Sequence, residues 1–166
     1  MSTLIIDDKA AAELEAKYDS EMRFRPMANV ALTTVTFLLI ALSAFHYYTA
    51  GFGLLREATH RGVHLAFVLG LIFLVFAFNK KEGEHRGASW HHPFGLPLYD
   101  WFFALMAVAA ALYIPYVFDD LAFRIGNPDF MDVVMGTILI VLLLEATRRA
   151  MGWPLPIIAI SFIDFV

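Results

Sequence analysis

The sequence contains no cysteine, which excludes disulfides, thiolate metal sites and cysteine nucleophiles. Charge is nearly as informative by its scarcity. Asp, Glu, Lys and Arg make up 17% of the 166 residues and hydrophobic residues 60%, against roughly 45 to 50% apolar residues in a soluble domain. Too little polar surface remains to coat a water-soluble fold of this size. The net charge of −4 lacks the basic excess of a nucleic-acid-binding surface, so no nucleic-acid partner is expected. The chain also has no phosphate-cradling glycine loop, no CxxCH haem-attachment motif, no nucleophile set beside a base and no internal repeat.

What is present is a set of long uncharged runs. Residues 27–48 are uncharged for 22 positions, 62–78 for 17 and 101–118 for 18, and about 20 apolar residues suffice to cross the hydrocarbon core of a bilayer. A fourth run, 133–144, holds only 12 uncharged residues. As a helix it would rise about 18 Å against a core about 30 Å thick. Extended to 131–153 it reaches the needed length but takes in Asp132, Glu145, Arg148 and Arg149. The last run, 154–166, is apolar to its end and reads as the start of a fifth helix, as though the chain were cut short there. The fold class is therefore an all-α membrane protein with four transmembrane helices. The expected organisation is an N-terminal segment over 1–26, a four-helix membrane unit over 27–153 and the start of a connecting helix over 154–166.

Positive charge sets the orientation. With the N-terminus inside, the cytoplasmic segments hold Lys9, Lys17, Arg23, Arg25, Lys80, Lys81, Arg86, Arg148 and Arg149, and the opposite side only Arg56, Arg61 and Arg124. That imbalance fits the positive-inside rule and predicts both ends of the unit in the cytoplasm. The six acids Asp7, Asp8, Glu13, Glu15, Asp19 and Glu21 precede the first run where a secretion signal would be basic, so the first crossing is expected to be retained. Within 7–25, Ala11, Leu14, Tyr18 and Met22 form an apolar stripe, Glu13 and Lys17 stand at i,i+4, and Asp7 or Asp8 is placed to cap. An amphipathic surface helix and a frayed polar tail both fit this segment. Pro26 suits the first turn of the crossing that follows.

The link over 49–61 carries Gly51, Gly53, Leu54 and Leu55 and is expected to return the chain compactly through the interface. The link over 79–98 is polar and ends in Tyr99 and Trp101, at the level of an aromatic belt. Ala104, Ala107, Ala109, Ala110 and Ala111 mark the third crossing as a packing helix, because small residues let helices approach closely in lipid. Gly126, Asn127 and Pro128 form a turn, with Asp129 or Asp132 as cap for the fourth crossing.

Several residues invite a chemical role. His46 and His64 fall near the same ends of crossings one and two and could clamp a haem iron as the membrane anchor of a redox complex. The plainer reading is a pair of interfacial histidines bonded to headgroups or backbone. His85, His91 and His92 lie in a polar loop without supporting carboxylates, as solvated residues rather than a zinc site. The adjacent Asp119 and Asp120 suit capping and solubility. Glu145 stands at i,i+3 from Arg148 and i,i+4 from Arg149. Charges at such depth face protein and pair with one another, or else lie just past the boundary and snorkel to headgroups. Neither arrangement makes a proton relay, since adjacent arginines lower the pKa of the carboxylate.

The wording of the fourth crossing supplies one further lead. Leu144-Glu145-Ala146-Thr147-Arg148-Arg149 followed by Gly152-Trp153-Pro154-Leu155-Pro156 resembles the TAXI-type fused permeases of the TRAP transporter family. Supporting segments are Tyr48-Thr49-Ala50-Gly51-Phe52-Gly53, Arg61 with His64-Leu65-Ala66-Phe67, Tyr99-Asp100-Trp101, Tyr113-Ile114, and Arg124 with Gly126 and Asp132. The likeness runs from about Val30 onward and implies the small four-helix membrane domain or subunit of a tripartite transporter in a bacterial or archaeal inner membrane. Its implied partners are a large permease domain or subunit, a periplasmic substrate-binding protein and membrane lipids. The complete transporter would take up organic acid anions on a sodium or proton gradient. No enzyme activity and no cofactor bound by this chain follow from the likeness, and the solute site belongs to the large domain. Glu145, Arg148, Arg149, Trp153, Asp100 and Trp101 are the implied contacts to the scaffold or to lipid headgroups.

Overall fold

Backbone amides have no water to bond in hydrocarbon, so each uncharged run can be expected to close its hydrogen bonds within a helix. The computed structural model of the chain shows this. It describes Met27 and residues 29–53, 55–78, 96–124 and 126–165. Five helices follow in order: α1 (Asn29–Phe52), α2 (Glu57–Val75), α3 (Leu98–Phe123), α4 (Phe130–Met151) and α5 (Pro154–Phe165). No β-strand occurs among the described residues. The segment expected as a surface helix over 7–25, Pro26, and the polar loop with His85, His91 and His92 lie outside the described residues.

α1 to α4 are long and apolar enough to cross a membrane, so the fold is that of a multi-pass helical membrane protein. α5, at 12 residues, spans only about 18 Å and packs against α4. Their hydroxyl groups are disposed of locally. Thr34, Thr137, Thr147 and Ser161 each donate to the carbonyl four residues back, at 2.7 to 3.0 Å. This bond lets a polar side chain sit in an apolar helix without a partner elsewhere.

The helix ends differ from those the uncharged runs predict. α1 continues past Tyr48 to Phe52, and α2 begins at Glu57 rather than Gly62, so the link contracts to 53–56. Nothing before Gly53 stops α1: Thr49 bonds back to the carbonyls of Phe45 and His46, and the break falls at Gly53 with φ +138°. Glu57 is tolerated because an acid in the first turn complements the helix dipole, and it pairs with Arg61 one turn on. α3 runs from Pro97 at its N-cap to Phe123, longer at both ends than 101–118. α4 takes in Asp132, Glu145, Arg148 and Arg149, as a full crossing requires, and stops where Gly152 adopts φ +84°.

In lipid no hydrophobic force draws helices together, so close packing and polar ties must do it. α2 and α3 share the most extensive contact. Gly62, Ala66 and Gly70 recur every fourth residue of α2 and are buried with Ala104, Ala107, Ala110 and Ala111 of α3. Ala109, counted with these by sequence, is exposed instead, since it falls on the far side of the helix. At the tightest point Gly62 lies against Pro115 and the Ala111 carbonyl, where a Cβ would strike the proline ring. Proline also removes the amide that the Ala111 carbonyl would have accepted from. α1 packs chiefly on α2 along a narrower seam that buries Ala31 and Val35.

Successive helices run antiparallel, giving the bundle two ends. One holds His46, Arg56, His64, Asp119 and Asp132, rimmed by exposed Tyr47, Tyr48, Phe52, Tyr116, Phe123 and Phe130. The other holds Asp100, Glu145, Arg148 and Arg149.

Candidate functional site

The largest fully buried side chain is a charged one, Arg149, and Asp100 is buried as completely, both at 0% exposure. Three helices position this centre. α4 presents Glu145, Arg148 and Arg149 on one face in its last two turns, where cations complement the negative end of the helix dipole. α3 presents Asp100 in its first turn, where an acid is favoured for the converse reason. The end of α2 supplies the Phe76 carbonyl and the ring of Phe73, and Phe78 follows it.

Arg149 Nη1 donates to Asp100 Oδ1 at 2.6 Å and to the Phe76 carbonyl at 3.4 Å, and Nε donates to Glu145 Oε1 at 2.9 Å. Its guanidinium carbon lies 4.9 Å from the centre of the Phe73 ring, 5.4 Å from Phe78 and 5.7 Å from Phe103. Planar, weakly hydrated guanidinium suits such a cage of rings better than ammonium would. Arg148 grips Glu145 with two bonds, Nε to Oε2 and Nη2 to Oε1, both 2.7 Å. It stacks over Phe78 at 4.5 Å and Trp153 at 5.5 Å. Two guanidinium groups thus face two carboxylates, and the cluster carries no net charge.

Of the two readings that sequence leaves open for Glu145, Arg148 and Arg149, the geometry takes the first: they face protein and pair with one another. Arg149 and Asp100 are enclosed in the bundle, paired with each other rather than exposed at its edge. The physical reason is that Asp100 and the Phe76 carbonyl meet the guanidinium where snorkelling would otherwise be its only relief. Trp101 is half-buried against the core, whereas Trp153 is exposed and can meet lipid or a partner. Neither the ring cage nor the Phe76 carbonyl is legible from the residues alone. Asp100 could have been marked as an acid at the edge of a crossing that needs a cation, but its partner lies 49 positions away.

Chemically this centre is a clasp. Each carboxylate is engaged by arginine and both guanidinium groups are buried, with Arg149 Nη2 enclosed without a hydrogen-bond partner among the described residues, so the centre presents no accessible charge to a solute. Apart from the clasp, a cavity of about 290 Å³ lies between α1, α2 and α3, lined by Leu38, Phe67, Gly70, Val108, Leu112 and other apolar residues. Without polar groups it cannot orient a charged solute.

The opposite end holds open ion pairs and a histidine cluster. Arg56 pairs with Asp119, so that acid is neither a cap nor merely solvated. Asp132 accepts from Tyr113 Oη at 2.6 Å and from the Asp129 amide at 2.8 Å, and Arg124 pairs with both Asp129 and Asp132. The Asp129 amide bond is half of a capping box that starts α4.

His46 and His64 do meet: Nε2 of the first lies 2.8 Å from Nδ1 of the second, a direct hydrogen bond. A metal held between two opposed imidazoles needs their nitrogens about 4 Å apart, at about 2 Å per bond. As placed, the pair bonds to itself, and this geometry does not fit a haem iron between them. Sequence missed His60, whose ring lies 5.4 Å from that of His46 and stacks on Phe45 at 5.2 Å. Its i,i+4 spacing to His64 was the available signal.

Fold and site together define a multi-pass helical membrane protein with a buried arginine–carboxylate clasp at one end and a histidine cluster at the other. Comparison with protein-family models, curated proteins and solved structures gives no match.

Proposed function

We propose that this chain is the small four-helix scaffold subunit or domain of a tripartite, binding-protein-dependent transporter of the TRAP type, in a bacterial or archaeal inner membrane. In this reading it stands still in the bilayer while a large permease body moves the solute, an organic acid anion driven by a sodium or proton gradient. Both termini of the four-helix unit then lie in the cytoplasm, which puts the histidine end outside, toward the binding protein. The observation that carries the reading is the use made of Glu145, Arg148 and Arg149. The stretch on which the family likeness rests is spent on internal ties among three helices, leaving apolar outer faces such as Phe37, Ile40, Leu105, Ile140 and Val141. Among the described residues its buried charges are engaged with one another, and a unit so built is suited to stand against lipid and another membrane body.

The test is co-purification of the tagged chain from its native membrane, followed by solute uptake in reconstituted vesicles. A large multi-pass permease is expected to accompany it, and uptake of an organic acid should need the chain, the permease, a binding protein and an ion gradient together. A chain that purifies with a redox complex and shows a Soret band lost in His46→Ala would sink this reading. So would uptake that is unaffected when the chain is deleted.

A further inference from the structure

From the histidine end we infer a binding site for a first-row divalent metal ion, of the zinc, nickel or copper kind, with His46 and His64 as its protein ligands. The inference rests on local geometry and is independent of the transporter reading. His46 comes from α1 and His64 from α2, and their facing nitrogens are 2.8 Å apart, with ring centres at 4.9 Å. Two imidazole nitrogens bound to one tetrahedral ion at about 2.0 to 2.1 Å stand about 3.3 Å apart. The pair is therefore about half an ångström too close for an ion and bridged by a proton instead. Opening it asks little of the fold, because α1 meets α2 along a much narrower seam than α2 shares with α3.

Proton balance is simple. In the neutral pair one facing nitrogen carries a hydrogen and the other accepts it. When the ion enters, that hydrogen moves to the far nitrogen of the same ring, so both facing lone pairs turn to the metal without net proton release. Among the described residues no three metal-binding side chains are grouped to hold an ion, so water completes the coordination. Access for ion and water is provided: His64 is exposed, and exposed Tyr47, Tyr48 and Arg61 mark the polar rim at the same level. His60 gives a second, separate observation. Its Nδ1 is buried and has no partner among the described residues, leaving it ready to hydrogen-bond a metal-bound water. Imidazole donors select Zn, Cu and Ni over Mg or Ca. A bound ion would tie α1 to α2 at the histidine end.

The test uses the full chain, purified without a histidine tag and placed in lipid nanodiscs. Zn²⁺ is titrated against a chromophoric chelator, and a parallel sample is loaded with one equivalent of Cu²⁺ for EPR. One Zn²⁺ per chain is expected, with a Cu²⁺ spectrum showing at least two imidazole nitrogens. His46→Ala and His64→Ala should each weaken Zn²⁺ binding on the order of ten- to a hundredfold, the scale on which metal sites respond to a lost supporting group. Changing His85, His91 and His92 together to alanine should leave it unaltered. A wild-type Cu²⁺ spectrum without imidazole coupling overturns the site whether or not the variants fold. Unchanged Zn²⁺ affinity in both single variants overturns it too, as does loss of binding in the loop triple variant.

Discussion

The two ends of this bundle hold similar residues and use them oppositely. At the clasp end Arg149 and Asp100 are fully enclosed, while at the histidine end the side chains of Arg56 and Asp119 remain 54% and 75% exposed. An exposed pair gains little, because water and salt screen it and two long side chains must be ordered. A buried pair has surrendered hydration on both sides, so removing one partner strands the other. The lesson is that in a bundle without a hydrophobic drive between helices, the enclosed charges hold the helices in register and the open ones do not.

That comparison can be broken or sharpened by substitution, with unfolding in lipid–detergent mixtures as the measurement. The largest effect is expected from Arg149→Met, which takes the guanidinium away from buried Asp100 and should cost about 3 to 5 kcal/mol. The double change Arg149→Met with Asp100→Leu should recover much of that loss, since replacing both members by apolar groups of similar size is often neutral or stabilising. A double variant as unstable as the single one would show that the clasp acts through the ring cage rather than through charge. Next comes Gly62→Val, which must push α2 off Pro115 and the Ala111 carbonyl, at about 1 to 3 kcal/mol for overpacking.

Asp132→Ala should lower the melting temperature by less than either, because it removes half of the capping box and the acceptor for Tyr113 but leaves the surrounding helices packed. Arg56→Ala should produce no shift outside experimental error. An Arg56 effect as large as that of Arg149 would overturn the distinction between the two ends.

Much of this was legible in the sequence. The uncharged runs located all four crossings. The shortage of apolar residues in the fourth run forced Asp132, Glu145, Arg148 and Arg149 into a helix, where they are found. The runs place His46 and His64 at one end, where they meet, and mark the alanines of α3 as a packing face, which they form apart from Ala109. The link between α1 and α2 was drawn too long, because a charge count treats Glu57 and Arg61 as loop residues when they are a paired first turn. Gly62, Ala66 and Gly70 passed unnoticed, since small residues every fourth position acquire meaning only with a partner helix.

The sequence by itself determined how many helices are long and apolar enough to cross and which stretch each occupies to within a turn or two, because hydropathy, proline, glycine and capping acids act within a turn or two of the chain. Only the tertiary structure decided which charges meet. Arg149 finds Asp100 across 49 residues and Phe76 across 73, and Arg56 finds Asp119 across 63. Those distances along the chain are closed by the packing of whole helices, and no local pattern encodes which side chains that packing will bring face to face.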